Sequence, residues 1–276
     1  MNDRQDRQEH RAGRSHQDYP AIIVRPGHVE PVPRRIRAVL GGETVLDTVR
    51  ASYVWEHAHY PQYYIPLADV RTDLLVPQDT APEDSPRGPV HRYALRVGDE
   101  VRRDAARVLH ESGTDGLADT ARFGWDAVDA WYEEDERVFV HPRSPYTRVD
   151  ALRSTRTVRV ERDGVVLAES SSPVLVFETG LPTRYYLNPT DVDRTRLIPS
   201  DTVTACPYKG TTSGYWTART GDRLHPDLAW SYGFPTRELQ PIAGLIAFYN
   251  ERTDLFLDGR ALERPRTPFS PRAGAR

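Results

Sequence analysis

The chain has 276 residues, a formal net charge of −3 and one cysteine. This length is enough for one large domain or two ordinary ones with a buried core. The charge argues against a nucleic-acid binder, and no apolar run approaches the roughly 20 residues that span a bilayer. A single cysteine cannot form a disulfide within the chain, which favours a reducing compartment. The sequence therefore predicts a cytoplasmic protein, and it predicts no membrane or nucleic-acid partner.

The two ends of the chain are polar. Residues 1–20 lack the apolar core of a signal peptide. We therefore expect a disordered polar tail at 1–27 and a flexible tail at 265–276.

Between these tails the chain repeats itself. At one constant offset, residues 36–77 align without gaps with residues 158–199. The alignment predicts a first module at 28–147 and a second at 151–264, packed as a pseudo-dimer within one monomer. The identical pairs include Arg37 with Arg159, Gly42 with Gly164, Glu56 with Glu178, Tyr63-Tyr64 with Tyr185-Tyr186, and Asp69-Val70 with Asp191-Val192.

Each module reads mainly as β-strands. Residues 158–170 alternate in polarity around the turn Asp163-Gly164, which is typical of a hairpin. Late in each module an apolar stretch at helical spacing, residues 126–134 or 241–251, predicts one helix. The predicted fold is mainly β (α+β), with antiparallel strands and one late helix per module.

No glycine-rich phosphate loop joins a strand to a helix, so neither a Rossmann nor a P-loop cofactor site is predicted. We expect no cofactor. His57 and His59 share one strand face as metal ligands might, but the sequence fixes only these two. A zinc knuckle of paired CxxC motifs is excluded by the single cysteine, and no metal site is predicted.

The segment Cys206-Pro207-Tyr208-Lys209-Gly210 holds the only cysteine and the only lysine of the chain. Pro207 fixes φ and Gly210 permits a sharp bend, so we expect a tight connection between strands. A nearby ammonium favours the thiolate, which makes Cys206 a candidate nucleophile and Lys209 its electrostatic helper. The alternative is a small buried thiol that packs as an apolar residue.

The first module keeps the turn and loses the reactive groups. The corresponding residues are Asp84, Ser85, Pro86, Arg87 and Gly88. This replacement fits a decayed site in the first module, and simple drift fits it as well.

Both modules keep a glutamate after an apolar strand, Glu178 in the second and Glu56 in the first. Such a carboxylate is either buried with a partner, for which Arg159 and Arg37 are candidates, or it acts as a general base. Aromatic residues complete the candidate set. Tyr185 and Tyr186 point to opposite faces of their strand, and Trp216 is either core or the wall of a ligand pocket.

Several motifs of the second module carry a family resemblance. They are ETGLPTRYYLNPTDV, CPYKG, GYW, AWSY and IAFY, spread from Arg156 to about Leu262. The chain resembles the domain of unknown function 427 family, with a degenerate first copy. The resemblance implies a β-tent (Mss4-like) fold, and the family has carried a nucleotidyltransferase label. Fold kinship by itself does not give function.

The sequence therefore predicts a small-molecule enzyme with a polar pocket in the second module. The expected roles are Cys206 as nucleophile or acid, Lys209 and Arg159 as stabilisers of negative charge, and Glu178 as base. The alternatives are a non-catalytic module that binds a small ligand or nucleotide, and an interaction protein. The predicted catalytic residues are Cys206, Lys209 and Glu178, and the predicted binding residues are Arg159, Tyr185, Tyr186 and Trp216.

Overall fold

The computed structural model describes residues 21–78 and 81–270. The parts of the predicted tails at 1–20 and 271–276 lie outside the described residues. The described chain divides into two compact units. The first unit contains Ile22–Thr147 and also Ala205–Gly210, and the second contains Arg148–Thr204 and the chain from Thr211 onward.

The described residues of the first unit form short strands linked by turns and three 3-10 helices. The helices are Leu67–Asp69, Thr72–Leu74 and Trp125–Ala127. The strands are β1 (Val29–Pro31), β2 (Ile36–Leu40), β3 (Glu43–Thr48), β4 (Ser52–Val54), β5 (Gln62–Pro66), β6 (Leu75–Pro77), β7 (His91–Val97), β8 (Glu100–Leu109), β9 (Thr120–Phe123), β10 (Ala130–Glu133) and β11 (Glu136–Val138).

The second unit has the same kinds of element. Its 3-10 helices are Pro189–Asp191, Arg194–Arg196 and Arg237–Ile242. Its strands are β12 (Val149–Arg153), β13 (Val158–Arg162), β14 (Val165–Ser170), β15 (Val174–Glu178), β16 (Leu181–Leu187), β17 (Leu197–Ser200), β20 (Gly214–Thr220), β21 (Arg223–Ser231), β22 (Ile246–Phe248), β23 (Asp254–Leu257) and β24 (Arg260–Ala261). Between β17 and β20 in the chain, a two-stranded hairpin is formed by β18 (Ala205–Cys206) and β19 (Gly210–Thr211), and its residues Ala205–Gly210 belong to the first unit.

The strand order is the same in both units. A seven-stranded sheet runs β1-β4-β5-β9-β8-β7-β6 in the first unit and β12-β15-β16-β22-β21-β20-β17 in the second. A four-stranded sheet runs β11-β10-β2-β3 in one and β24-β23-β13-β14 in the other. Neighbouring strands are antiparallel, as in the hairpins β2–β3 and β13–β14. The prediction of a mainly β, two-module fold is confirmed.

In the second unit, apolar clusters cover both faces of the seven-stranded sheet. Tyr185 belongs to a cluster that includes Val158 and Leu255 of the four-stranded sheet, whereas Tyr186 packs in another that includes Ile242. Side chains alternate along a strand, so these neighbouring tyrosines face opposite ways and both are buried. A strand buried on both faces has a continuous apolar sequence with no alternation.

That property explains why the predicted late helix of the second unit is wrong. In place of a helix over 241–251, the 3-10 helix Arg237–Ile242 ends before Gly244, which has φ +73°. Residues Ile246–Phe248 then form β22, a fully buried strand between β16 and β21. A short apolar run suits a buried strand as well as a helix, and a left-handed glycine breaks the helix.

The predicted helix at 126–134 is also wrong. Its first residues fall in the 3-10 helix Trp125–Ala127, and Ala130–Glu133 form β10, which pairs with β2. The equivalent of β10 in the second unit is β23, which pairs with β13 in the same way. Among the described residues, no helix combines the length and apolar character needed to cross a membrane.

Candidate functional site

The CPYKG segment forms a tight turn that projects from a closed base. At the base, Thr212 N–H donates to Thr204 O at 2.9 Å, and Thr204 N–H donates to Thr212 Oγ1 at 2.9 Å. The strands β18 and β19 lead into and out of the turn, and Gly210 has φ +91°. Residues other than glycine rarely adopt this conformation, so Gly210 sets the path that brings the two ends together.

This turn brings the thiol and the amine together. The Nζ of Lys209 lies 3.8 Å from the Sγ of Cys206, within hydrogen-bond range for sulfur. Lys209 is buried, whereas Cys206 is half-buried. The sulfur is therefore not sealed in the core, and a buried amine lies beside it.

Tyr208, at the tip of the same turn, anchors it to the rest of the first unit. The backbone N–H of Ser144 donates to the Oη of Tyr208 at 2.8 Å. The Tyr208 ring meets His141 edge-on at 6.3 Å between centroids, and His141 stacks on Tyr60 at 3.8 Å with an 8° interplanar angle. These anchoring residues were not predicted from the sequence as part of the site, because they lie far from Tyr208 in the chain.

The predicted histidine pair lies on the same aromatic cluster. His57 packs edge-on against Tyr60 at 4.4 Å, and its ring centroid is 5.7 Å from that of His59. Burial lowers the pKa of His57, and the positive charge of a protonated His59 acts in the same direction. Within the described ranges, no group of three or more His, Cys, Asp or Glu side chains is placed to hold a metal ion.

The structure places Glu178 in the second unit, at the end of β15, where it is buried. Arg159 lies on β13 of the same unit, where its Nε is 3.1 Å from Glu161 and its guanidinium covers the Phe256 ring at 4.4 Å. This binding candidate thus has a carboxylate and an aromatic neighbour on its own sheet.

The counterpart glutamate of the first unit has other neighbours. Glu56 accepts from the Tyr64 hydroxyl at 2.8 Å and lies 3.5 Å from Arg122. Arg37, the arginine considered as its partner, pairs instead with Asp135 at 2.6 Å.

Two of the three aromatic candidates belong to the core of the second unit, and the third packs against it. Tyr185 and Tyr186 are buried, and the Trp230 indole N–H donates to the Tyr186 hydroxyl at 3.2 Å. Trp216 is half-buried and packs against the cluster that contains Tyr185. The contacts of these three rings support the interpretation that they pack within the second unit.

Fold and site together define a tandem-repeat, antiparallel β protein whose second repeat carries a paired thiol and ammonium on one turn. The family described as domain of unknown function DUF427 matches residues 28–134 and again residues 150–259. The two matches cover most of the chain, which therefore belongs to this family as a tandem pair of domains. No curated protein matches the chain.

Proposed function

We propose that this protein is a small-molecule enzyme in which Cys206 is the nucleophile. The single observation that supports this function is the 3.8 Å approach of the Lys209 ammonium to the Cys206 sulfur. A thiolate is the reactive form of cysteine, and an adjacent ammonium stabilises it relative to the neutral thiol. A thiol enzyme works in its reduced form, which fits the predicted cytoplasmic compartment.

The burial pattern supports a division of work between the two side chains. Lys209 is buried, so its charge acts on the sulfur through a medium of lower dielectric constant than water. Cys206 is half-buried and can meet a small electrophile. In the reaction the thiolate forms a bond to an electrophilic carbon of the substrate while the bond to the leaving group breaks, and that group departs with its electron pair. Water then attacks the same carbon, the bond to sulfur breaks, and the thiolate is regenerated.

Tyr208 has a positioning role in this proposal. Its hydroxyl accepts from Ser144 N–H, and it stands between Cys206 and Lys209 in the chain. Fixing the tip of the turn preserves the separation of sulfur and nitrogen at no further entropic cost during reaction. The roles of Glu178 as general base and of Arg159, Tyr185, Tyr186 and Trp216 as substrate contacts remain predictions.

The test is hydrolysis of p-nitrophenyl acetate, a small activated ester. The enzyme proposal predicts release of p-nitrophenolate and an acetyl adduct on the Cys206 peptide by mass spectrometry. Cys206→Ser loses the adduct, and Cys206→Ala with unchanged circular dichroism controls for folding. Equal turnover by the native chain and Cys206→Ala would contradict catalysis and leave the non-catalytic binding module as the function.

A further inference from the structure

The second unit contains an open pocket of about 290 Å³ that the proposed thiol chemistry does not use. Pockets that hold small ligands start at about 300 Å³, so this one suits a molecule of few atoms. One wall, Phe269, comes from the chain beyond the residues that the family matches. The lining residues are Thr202, Thr204, Tyr215, Asp227, Tyr249, Arg252 and Phe269.

The pocket offers a cation without a carboxylate partner. Arg252 is half-buried, and it donates from one terminal nitrogen to Asp227 O at 3.1 Å and from the other to Pro226 O at 2.6 Å. These backbone contacts hold the guanidinium in place, over the Tyr249 ring at 5.9 Å from its centroid. No carboxylate among the described residues lies within ion-pair distance of Arg252, whose remaining N–H groups can donate to a ligand.

The same pocket offers a fixed anion. The Asp227 carboxylate accepts from the Ser200 hydroxyl at 2.6 Å and from the Thr202 hydroxyl at 2.8 Å. Asp227 has φ +49°, a conformation that aspartate tolerates better than most residues. Because Asp227 and Arg252 form no ion pair with each other, the pocket presents one negative and one positive group to a ligand.

Aromatic rings form the apolar part of the lining. Tyr249 and Phe269 lie with centroids 6.2 Å apart, and the Tyr249 hydroxyl is 2.9 Å from that of Tyr215. Burial, with the hydrogen bond to Tyr215, raises the pKa of Tyr249, so this phenol stays neutral. Beside these rings, Arg184 and Glu251 form a buried ion pair that compensates its own charge.

We propose that this pocket binds a free α-amino acid with an aromatic or large apolar side chain. The ligand carboxylate binds Arg252 by charge-assisted hydrogen bonds, and its ammonium binds Asp227. The side chain packs against Phe269 and Tyr249, where apolar burial adds affinity. A zwitterion matches the one positive and one negative group of the lining, which an anion or a cation alone would not. This ligand site is independent of the chemistry at Cys206.

The experiment is isothermal titration calorimetry of the full chain with L-phenylalanine. Two truncated probes, 2-phenylethylamine and 3-phenylpropanoate, lack the carboxylate and the ammonium respectively. Each lost charge contact is expected to weaken binding about tenfold or more, because hydrogen bonds to charged groups contribute about 1.5–3 kcal/mol. The probes act on the unmodified protein, so this result does not depend on whether a variant folds.

Two variants test whether L-phenylalanine binds in this pocket. Arg252→Gln is expected to weaken L-phenylalanine binding about tenfold or more and to leave 2-phenylethylamine unaffected, because that probe has no carboxylate. Asp227→Asn is expected to weaken L-phenylalanine binding and to leave 3-phenylpropanoate unaffected, because that probe has no ammonium. Arg219→Gln, at an exposed arginine, is the matched control. No binding of L-phenylalanine at millimolar concentration, or equal binding of all three probes, would overturn the proposal.

Discussion

The Nζ of Lys209 approaches the Sγ of Cys206 to 3.8 Å, on a turn whose tip residue is held by Ser144. The only lysine of the chain is therefore a neighbour of the only cysteine in space as well as in sequence. An arginine would place a planar, delocalised cation there, whereas lysine brings a compact charge. The contact motivates the thiol chemistry proposed above.

Loss of the tip anchor should weaken the turn. Tyr208→Phe removes the oxygen that accepts from Ser144 N–H and leaves a polar backbone group without this partner. We expect a loss of about 1–2 kcal/mol in the free energy of unfolding, measured by urea denaturation, together with slower alkylation of Cys206. Tyr146→Phe is the control, because it removes a different tyrosine hydrogen bond of the same unit, the exposed one to Glu30 at 2.6 Å, and should leave the alkylation rate unchanged. Unaltered alkylation in Tyr208→Phe would remove Tyr208 from its positioning role.

The turn also depends on Gly210. Its φ of +91° is strained for any residue with a Cβ, so Gly210→Ala should cost about 1–3 kcal/mol of stability. Gly113→Ala is a suitable comparison, because φ there is not positive and nothing lies within 4 Å of the added carbon. Thermal or urea unfolding measures both. Equal stability of the two variants would show that the turn relaxes freely around position 210.

The buried ion pair of the second unit should matter more than exposed ones. Arg184 donates two 2.7 Å hydrogen bonds to Glu251, and both side chains are almost fully buried. Arg184→Met leaves the Glu251 carboxylate buried without its charged partner. We expect the free energy of unfolding, measured with urea, to fall by about 3–5 kcal/mol. Arg156→Met breaks the exposed pair with Asp258 and is the control, with a much smaller effect. Similar losses in both variants would contradict this assignment.

The stability that the Arg184–Glu251 ion pair contributes should depend on pH, because the Glu251 carboxylate can be protonated. Burial alone would raise its pKa, but the hydrogen bonds and charge of Arg184 outweigh burial, and the pKa is lowered. A lowered folded-state pKa gives stability that is present above the unfolded-state value and is lost as the pH falls into the acid range.

We expect His225 to lower the free energy of unfolding when the pH is made mildly acidic. His225 is buried, with Nε2 2.8 Å from the Thr220 hydroxyl, while Arg162 donates to its Nδ1 at 3.3 Å. Burial first, and then the charge of Arg162, lower its pKa below the ordinary value of 6.5. Below pH 6.5 the unfolded chain thus binds the proton more readily than the folded protein does, and stability decreases.

The measurement is the unfolding free energy between about pH 7.5 and pH 5.5, the range in which an ordinary histidine titrates. His225→Gln should lose part of the decrease that the native chain shows. His57→Gln is the companion variant, because the pKa of His57 is lowered too. Identical pH profiles for the native chain and His225→Gln would exclude the contribution of His225.

Local sequence patterns were enough to predict the strands and the duplication. The hairpin at 158–170 follows from alternation and from Asp163-Gly164, which both adopt positive φ at the turn. The helix over 241–251 failed because Ile246–Phe248 are apolar on both faces, a pattern that a buried strand and a helix share. The left-handed conformation of Gly244 and the pairing of β22 with β16 and β21 distinguish them.

The candidate site could be predicted from the sequence only where its residues are close together in the chain. Cys206 and Lys209 are three positions apart, so a turn sufficed to bring them together. The contact of Tyr208 with Ser144 spans 64 positions, and the stacking of His141 on Tyr60 is also long-range. Such contacts depend on how the strands pair, which no motif in the sequence encodes.

The most direct measurement is the rate at which iodoacetamide alkylates Cys206 at neutral pH in the native chain and in Lys209→Met. Native Cys206 should react without denaturant, and Lys209→Met should slow the reaction, because the sulfur loses the amine that lies beside it. Lys209→Arg, which keeps a positive charge, should fall between the two. A native thiol that reacts only after denaturation, or the same rate with and without Lys209, would contradict the proposal that this pair carries chemistry.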